Sequence, residues 1–316
     1  MTRDSPTEVT PAAPALTGTG PDAGRLMRLA TYASVSVASL LIVVKFAAWV
    51  ATDAVSMLST LLDSVLDVAA SLINLLAVRH ALSPADREHR FGHGKAEPLA
   101  ALGQSAFVAG SAALLLIEVV RRIINPVAVA NTELGIVVMV GSIALTFGLV
   151  QFQSYVVRRT NSLAIGADRL HYFGDLMVNT GVIVALLLVG WLGWTLVDPL
   201  FGAAIALYIL YIAWRIARSA LDMLMDHELP DQDRQRIRGI ALAHPEVKAL
   251  HELRTRASGP SIFIQFHLEM DGSLTLYRAH EIADQVEADV LAAFPDAEVI
   301  IHEDPLGVVE RRKGLG

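Results

Sequence analysis

The sequence predicts an α-helical membrane protein: a bundle of six transmembrane helices followed by a small αββαβ domain. Six apolar stretches are each long enough to cross about 30 Å of hydrocarbon at about 1.5 Å per residue. Charged residues make up only 18% of the 316-residue chain, against roughly 25% in ordinary soluble domains. Hydropathy then collapses after residue 226, where the residue pattern changes to alternating helix and strand periods.

The apolar stretches lie near 27–50, 54–78, 98–124, 133–157, 163–189 and 191–221, within a transmembrane region spanning 25–226. The 79–97 loop (RHALSPADREHRFGHGKAE), the RRTN turn at 158–161 and the flanking Arg25, Arg28, Arg215 and Arg218 are basic. The 51–53 turn, the 125–132 loop and the 190–198 turn carry no Lys or Arg. The positive-inside rule then puts both termini in the cytosol, with Arg121 and Arg122 as the exception. Residues 1–24 are rich in Pro, Thr, Gly and Ala and read as a disordered cytosolic tail. They lack the basic start and apolar run of a secretory signal. Residues 307–316 read as a second tail.

The region 227–306 forms the cytosolic domain. Pro230 and the acidic residues after it open a helix over 230–243. Strands follow at 247–256 and 261–269, the second alternating Ile262, Ile264, Phe266 and Leu268 on one face. Ser258-Gly259-Pro260 marks the turn between them. A helix near 275–293 and a strand at 297–303 complete a sheet with helices on one face.

The chain has no cysteine, which excludes disulfides, thiolate zinc sites and iron–sulfur clusters. A metal must be held by His, Asp, Glu or backbone oxygen, which suits zinc, ferrous iron, manganese or cadmium better than Cu(I). A net charge of −7 argues against nucleic acid as a partner.

The decisive feature is charge inside lipid-length helices. Asp63 and Asp67 share one face of the second stretch, and His171 and Asp175 share one face of the fifth, because a spacing of four closes one helical turn. A carboxylate at mid-bilayer costs several kcal/mol. Three carboxylates and an imidazole gathered there fit around a tetrahedral Zn²⁺; the alternative is hydrogen bonding between helices, with water. Lys45, Asn74, Gln104, Glu118 and Asn179 read as interhelical or snorkelling polar groups. Asp86, His89 and His93 are three potential ligands within one loop, which spacing alone also allows as incidental residues on a solvated segment. In the soluble domain, His251 and His267 lie on the two strands of a hairpin, and His302 and Asp304 share one face of the last strand. With His280, these residues have the capacity for two metals bridged by Asp304. His80, His227 and His244 read as surface residues.

DSVLD, HYFGD and FGHGKAE, with LHELRTRASGP, FIQFHLEM, ADQVEADVL and VIIHEDP, resemble the cation diffusion facilitator family, specifically its bacterial zinc and ferrous-iron efflux exporters. The resemblance covers roughly residues 25–306. It implies a homodimer in the bacterial inner membrane, with six helices per protomer and a ferredoxin-like, metallochaperone-like cytosolic domain. It further implies exchange of Zn²⁺, with Fe²⁺, Cd²⁺ or Mn²⁺ as other substrates, for protons by alternating access. Asp63, Asp67, His171 and Asp175 match the family's transport site, and Asp86, His89 and His93 a loop site. His251, His267, His280, His302 and Asp304 match a binuclear site at the dimer interface. Lys95 and Asp226 match a charge pair that locks the protomers together. Glu303 stands where close relatives carry a neutral amide.

Two other readings compete. An intramembrane zinc hydrolase would need a water-activating motif such as HExxH. The four His-Glu pairs, at His227, His251, His280 and His302, all lack a second His four residues later. A membrane metal sensor or scaffold would keep the soluble-domain histidines without needing the intramembrane quartet.

Overall fold

The computed structural model describes residues 21–52, 55–124, 133–192 and 197–307. The expected tails before 21 and after 307, the 125–132 loop, residue 53 of the 51–53 turn and residues 193–196 of the 190–198 turn lie outside the described residues. Six long helices come first: α1 (Pro21–Thr52), α2 (Val55–Ala81), α3 (Ala96–Ile124), α4 (Glu133–Thr160), α5 (Leu163–Leu192) and α6 (Val197–Leu224). α1 begins at Pro21 rather than after residue 24. Proline is preorganised for the first helical position, Asp22 complements the helix dipole, and Ala23 and Met27 are already buried.

By length and composition α1, α2, α3, α4 and α6 are apolar enough to cross a membrane. Asp168, Arg169 and Asp175 interrupt the described half of α5, the helix that carries the polar centre of the bundle. The outer faces are apolar, with Val43, Phe46, Ile73, Leu76, Leu114, Ile117, Leu207 and Trp214 exposed. Such a belt would aggregate in water and is satisfied by lipid. Small residues let the helices approach: Ala30 and Ala164 pack with Met27, Val78, Val156 and Ile165 where α1, α2, α4 and α5 meet. α3 and α6 pair separately through Val108, Ala112, Ile205, Ile209 and Ala213, and Leu170 joins them to α5.

The soluble domain runs α7 (Asp231–Leu242), β1 (Ala249–Ser258), β2 (Ser261–Met270), α8 (Leu276–Ala293), β3 (Ala297–Pro305). β1 and β2 form an antiparallel hairpin, and β3 joins β2 in parallel after the α8 crossover. Thr275 caps α8 by accepting from the Arg278 N–H. Ile264, Phe266 and Leu268 on β2 pack with Ile237 of α7 and Ile282, Val286 and Val290 of α8 to form the core. The opposite face of the sheet carries no helix among the described residues, and His251, His267 and His302 stand there.

The loop between α2 and α3 docks on the hairpin. Phe91 meets Phe263 edge to face at 5.8 Å, and the Arg256 guanidinium lies 5.3 and 4.4 Å from their ring centres. Gly259, with φ +56°, opens the two-residue turn and lies directly against Gly94. A Cβ on Gly94 would overlap the Ser258 carbonyl, which is backbone and has no rotamer to move into. Gly94→Ala is therefore expected to cost about 1–3 kcal/mol by overpacking and to loosen the loop from the sheet. The check is a lower apparent melting temperature, together with faster proteolysis within residues 82–95.

Candidate metal centres

The first centre lies at mid-bundle. The i,i+4 spacing brings His171 and Asp175 to one face of α5, opposite Asp67 on α2. His171 Nε2 lies 2.9 Å from Asp67 Oδ1 and 3.8 Å from Asp175 Oδ2. Ligand atoms about 2.0–2.1 Å from a tetrahedral ion stand about 3.3–3.4 Å apart, so these separations bracket the required value. Phe107 and Tyr172 wall the imidazole, with ring centres at 5.5 and 5.2 Å.

The expected quartet does not close on one point. Asp67, His171 and Asp175 converge, whereas Asp63 stands one turn along α2, exposed, lining the same cavity of about 470 Å³ with Lys45. Lys45 Nζ donates to Ser64 Oγ at 2.7 Å. The cavity also takes Ser142, Thr146 and Asn179, so it runs from mid-bundle toward the end away from the soluble domain. On the domain side Ser71 and Tyr172 join their hydroxyls at 2.7 Å, closing the α2–α5 seam below the site.

Sequence reasoning missed the node below that seam. Asp168, one turn before His171, is fully buried; its Oδ2 accepts from Ser34 Oγ at 2.6 Å and Gln153 Nε2 at 2.7 Å. Gln153 Nε2 also donates to Ser34 Oγ at 2.9 Å. The ADRLHY string shows the carboxylate, but its partners come from α1 and α4, which no local spacing reveals.

The second centre is the loop. Asp86 Oδ1 accepts from the backbone N–H groups of Glu88 and His89, folding the loop back on itself. The backbone N–H of His89, with that of Glu88, holds the Asp86 carboxyl below the usual carboxylate range. Asp86 then lies 3.3 Å from both His89 Nδ1 and His93 Nε2, the separation that ligands of one tetrahedral ion require. His80 is not an isolated surface residue. The fold of the loop brings its ring to 4.3 Å from that of His93.

The third centre is a row across the sheet. Strand register places His251 opposite His267, and His267 opposite His302. Adjacent ring centres are 4.9 and 4.5 Å apart. Asp304 Oδ2 lies 2.6 Å from His267 Nδ1 and 3.3 Å from His251 Nε2, while its Oδ1 lies 3.2 Å from His302 Nε2. Burial pushes the Asp304 carboxyl upward, but the His267 hydrogen bond and the surrounding histidines hold it below the ordinary range. These donors suit borderline divalent ions.

His280 departs from the expected set. It projects from α8, on the helix-covered side, with Asp284 at 3.7 Å and Glu303 at 3.8 Å. Glu303 alternates with His302 and Asp304 on β3 and so faces the opposite way. Within one chain His280 does not join the row. Lys95 Nζ and Asp226 Oδ1 meet at 3.0 Å inside one chain, tying the loop to the end of α6, and Arg256 joins Asp226 at 3.3 Å. Burial pushes Asp226 upward, and the two cations overcome it and hold its carboxyl low. His244 pairs with Gln285 at 3.0 Å and His227 with the Glu228 carbonyl at 2.9 Å, as surface residues do.

Comparison with known proteins gives the same outline. The cation efflux transmembrane domain matches residues 31–225, and the cytoplasmic domain of cation efflux proteins matches residues 229–306. The cation-efflux pump FieF of Shigella flexneri is 49% identical over 288 residues, covering 91% of this chain and 96% of that protein. FieF of Escherichia fergusonii is likewise 49% identical over 288 residues, with the same coverage. The metal-bound C-terminal domain of the CzcD transporter from Thermotoga maritima is 32% identical, covers 25% of this chain and 93% of that one, and has a TM-score of 0.24. These relatives are transporters rather than enzymes. With both family domains matched in order and nearly half the residues shared across almost the whole length, the chain belongs to the cation diffusion facilitator family, in its FieF-like branch.

Proposed function

We propose that this chain exports divalent transition-metal cations, Zn²⁺ first among them, across the bacterial inner membrane in exchange for protons. It works as a homodimer by alternating access, with both termini in the cytosol. The observation that carries the reading is the convergence of Asp67, His171 and Asp175 on a mid-bundle cavity. A dication offsets the cost of holding carboxylates there, and Asp63, one turn along the same wall, gives it a next station toward the far side. Binding requires an imidazole with a free nitrogen lone pair and ionised carboxylates, so an arriving metal displaces any protons they hold. The hydrogen-bonded α2–α5 seam separates the site from the domain side, and opening it would admit cytosolic metal.

The test is uptake into proteoliposomes of Zn²⁺, Cd²⁺, Fe²⁺ and Mn²⁺ under an imposed pH gradient. Faster uptake of Zn²⁺ and Cd²⁺ than of Mn²⁺, with counterflow of protons, is expected. Absence of metal-dependent proton movement would defeat the exchange. One imidazole in a compact site favours borderline ions over harder ones that prefer about six oxygens. His171→Asp is therefore expected to lower the ratio of Zn²⁺ to Mn²⁺ initial rates. An unchanged ratio would move selectivity out of this site.

The His251–His267–His302 row is proposed as a resident regulatory site for two metals, because the two oxygens of Asp304 address different histidines. His280 faces away within its own chain, so it would serve this site only across the dimer interface. Zinc at about 100 times its dissociation constant should stabilise the soluble domain by about 2.7 kcal/mol. Most of that gain should vanish in the His302→Ala/Asp304→Ala variant. Equal stabilisation of the variant would show that the row holds no metal.

A further inference from the structure

The loop centre, as expected from the sequence, offers three side chains, Asp86, His89 and His93. A resident zinc site is almost always four-coordinate, so three ligands leave one vertex to be filled. His80 lies against His93, its nitrogens outside the tight group formed by the other three ligand atoms. Its ring centre is 4.3 Å from that of His93, and the His89 ring is 4.6 Å from the same histidine on another side. Two imidazoles on one tetrahedral ion have ring centres about 5 Å apart, so both pairs need only a small adjustment.

The soluble-domain row supplies an internal comparison. There a central histidine, His267, is flanked by rings at 4.9 and 4.5 Å, with one aspartate touching the set. With His80 included, the loop has the same composition: His93 in the centre, His80 and His89 beside it, and Asp86 bridging. His93 itself is buried at this point, its side chain 7% exposed. Its Nε2 faces Asp86, while its Nδ1 is buried without a hydrogen-bond partner among the described residues.

We propose that His80 is the fourth ligand of the loop centre. Three imidazoles and one carboxylate then form a closed tetrahedral site for a borderline divalent ion such as Zn²⁺ or Co²⁺. This rests on the reading of Asp86, His89 and His93 as metal ligands. A closed site holds its ion rather than passing it on, and its position gives it a consequence. His80 lies in the last turn of α2, the helix that carries Asp67. The loop that carries the other three ligands is docked on the β1–β2 hairpin through Phe91 and Gly94. A metal held by all four fastens the end of the transport helix to the soluble domain.

The test uses the purified full chain in detergent, with the mid-bundle and sheet centres silenced by Asp67→Asn, His267→Ala and Asp304→Ala. Co²⁺ alone is titrated and its visible bands recorded, because four-coordinate Co²⁺ absorbs far more strongly than five- or six-coordinate Co²⁺. The silenced parent is expected to bind one Co²⁺ with strong tetrahedral bands. His80→Phe keeps a ring against His93 without a nitrogen, and His80→Ala removes the ring. Both should weaken binding at least about tenfold and dim the bands, since even outer-sphere partners of a metal contribute about that much. Retention of parental bands and affinity in either folded variant would overturn the role of His80 and leave the three-ligand site standing. A parent that binds no Co²⁺, or whose binding survives His93→Ala, would overturn the loop centre itself and His80 with it.

Discussion

Replacing Asp67 by asparagine is expected to reduce metal uptake at least about 100-fold while leaving the protein folded. The two expectations separate because Asp67 has two roles. Its Oδ1 forms a 2.9 Å contact with His171 Nε2, and an amide of the same size can keep a hydrogen bond to that nitrogen. The α2–α5 contact therefore survives, as do the neighbouring Ser71–Tyr172 bond and the buried node around Asp168. What the substitution removes is charge. A cation at this point is otherwise met by Asp67 and Asp175 in the inner group, with Asp63 a turn away. Loss of a charged direct ligand is expected to exceed the 10- to 100-fold effect typical of outer-sphere changes. The measurement is the initial rate of Zn²⁺ uptake into proteoliposomes, beside size-exclusion and melting profiles of the same preparation. Wild-type rates from well-folded Asp67→Asn would remove Asp67 from the transport site.

The mid-bundle cluster was legible in the sequence because its cost is local. Asp63, Asp67, His171 and Asp175 are polar residues at helical spacing inside apolar runs, and a bilayer allows few reasons for them. The sheet row was half legible. The hairpin follows from Gly259-Pro260 and two alternating strands, which puts His251 and His267 together. That His302 completes the row depends on the parallel register of β2 and β3, set by the core contacts of α8 rather than by any short string. His280 shows the converse. Counting histidines groups it with the others, but its helix lies on the other side of the sheet from the row, toward Glu303. His80 could not be placed because the 82–95 segment folds back through the Asp86 turn before His93 reaches it. Helix ends shifted for the same reason: α1 starts at Pro21 because Ala23 and Met27 find partners in space.

The buried node around Asp168 is expected to show the largest effect on stability. Asp168, Ser34 and Gln153 are each fully buried, and they come from α5, α1 and α4. Removing the carboxylate by Asp168→Ala leaves the Ser34 hydroxyl and the Gln153 amide without their shared acceptor. Each buried donor left unsatisfied costs about 1–3 kcal/mol, and breaking one side of a buried charged network about 3–5 kcal/mol. The expected loss is therefore about 3 kcal/mol, with some relief if Ser34 turns fully to the Ala30 carbonyl, which it already approaches at 3.1 Å. Asp168→Asn keeps an oxygen that accepts from both donors and should cost about 1 kcal/mol, the net value of an ordinary hydrogen bond. The order of apparent melting temperatures in detergent should be wild type, then Asp168→Asn, then Asp168→Ala. Adding Ser34→Ala to Asp168→Ala should cost less than Ser34→Ala costs alone, because both changes remove the one Ser34–Asp168 hydrogen bond. Additive losses in the double variant, or an Asp168→Ala protein as stable as wild type, would show that the node does not hold α5 in place. Were it to hold, α5 would be fixed one turn from His171, and the seam above it would be the part of the bundle free to open.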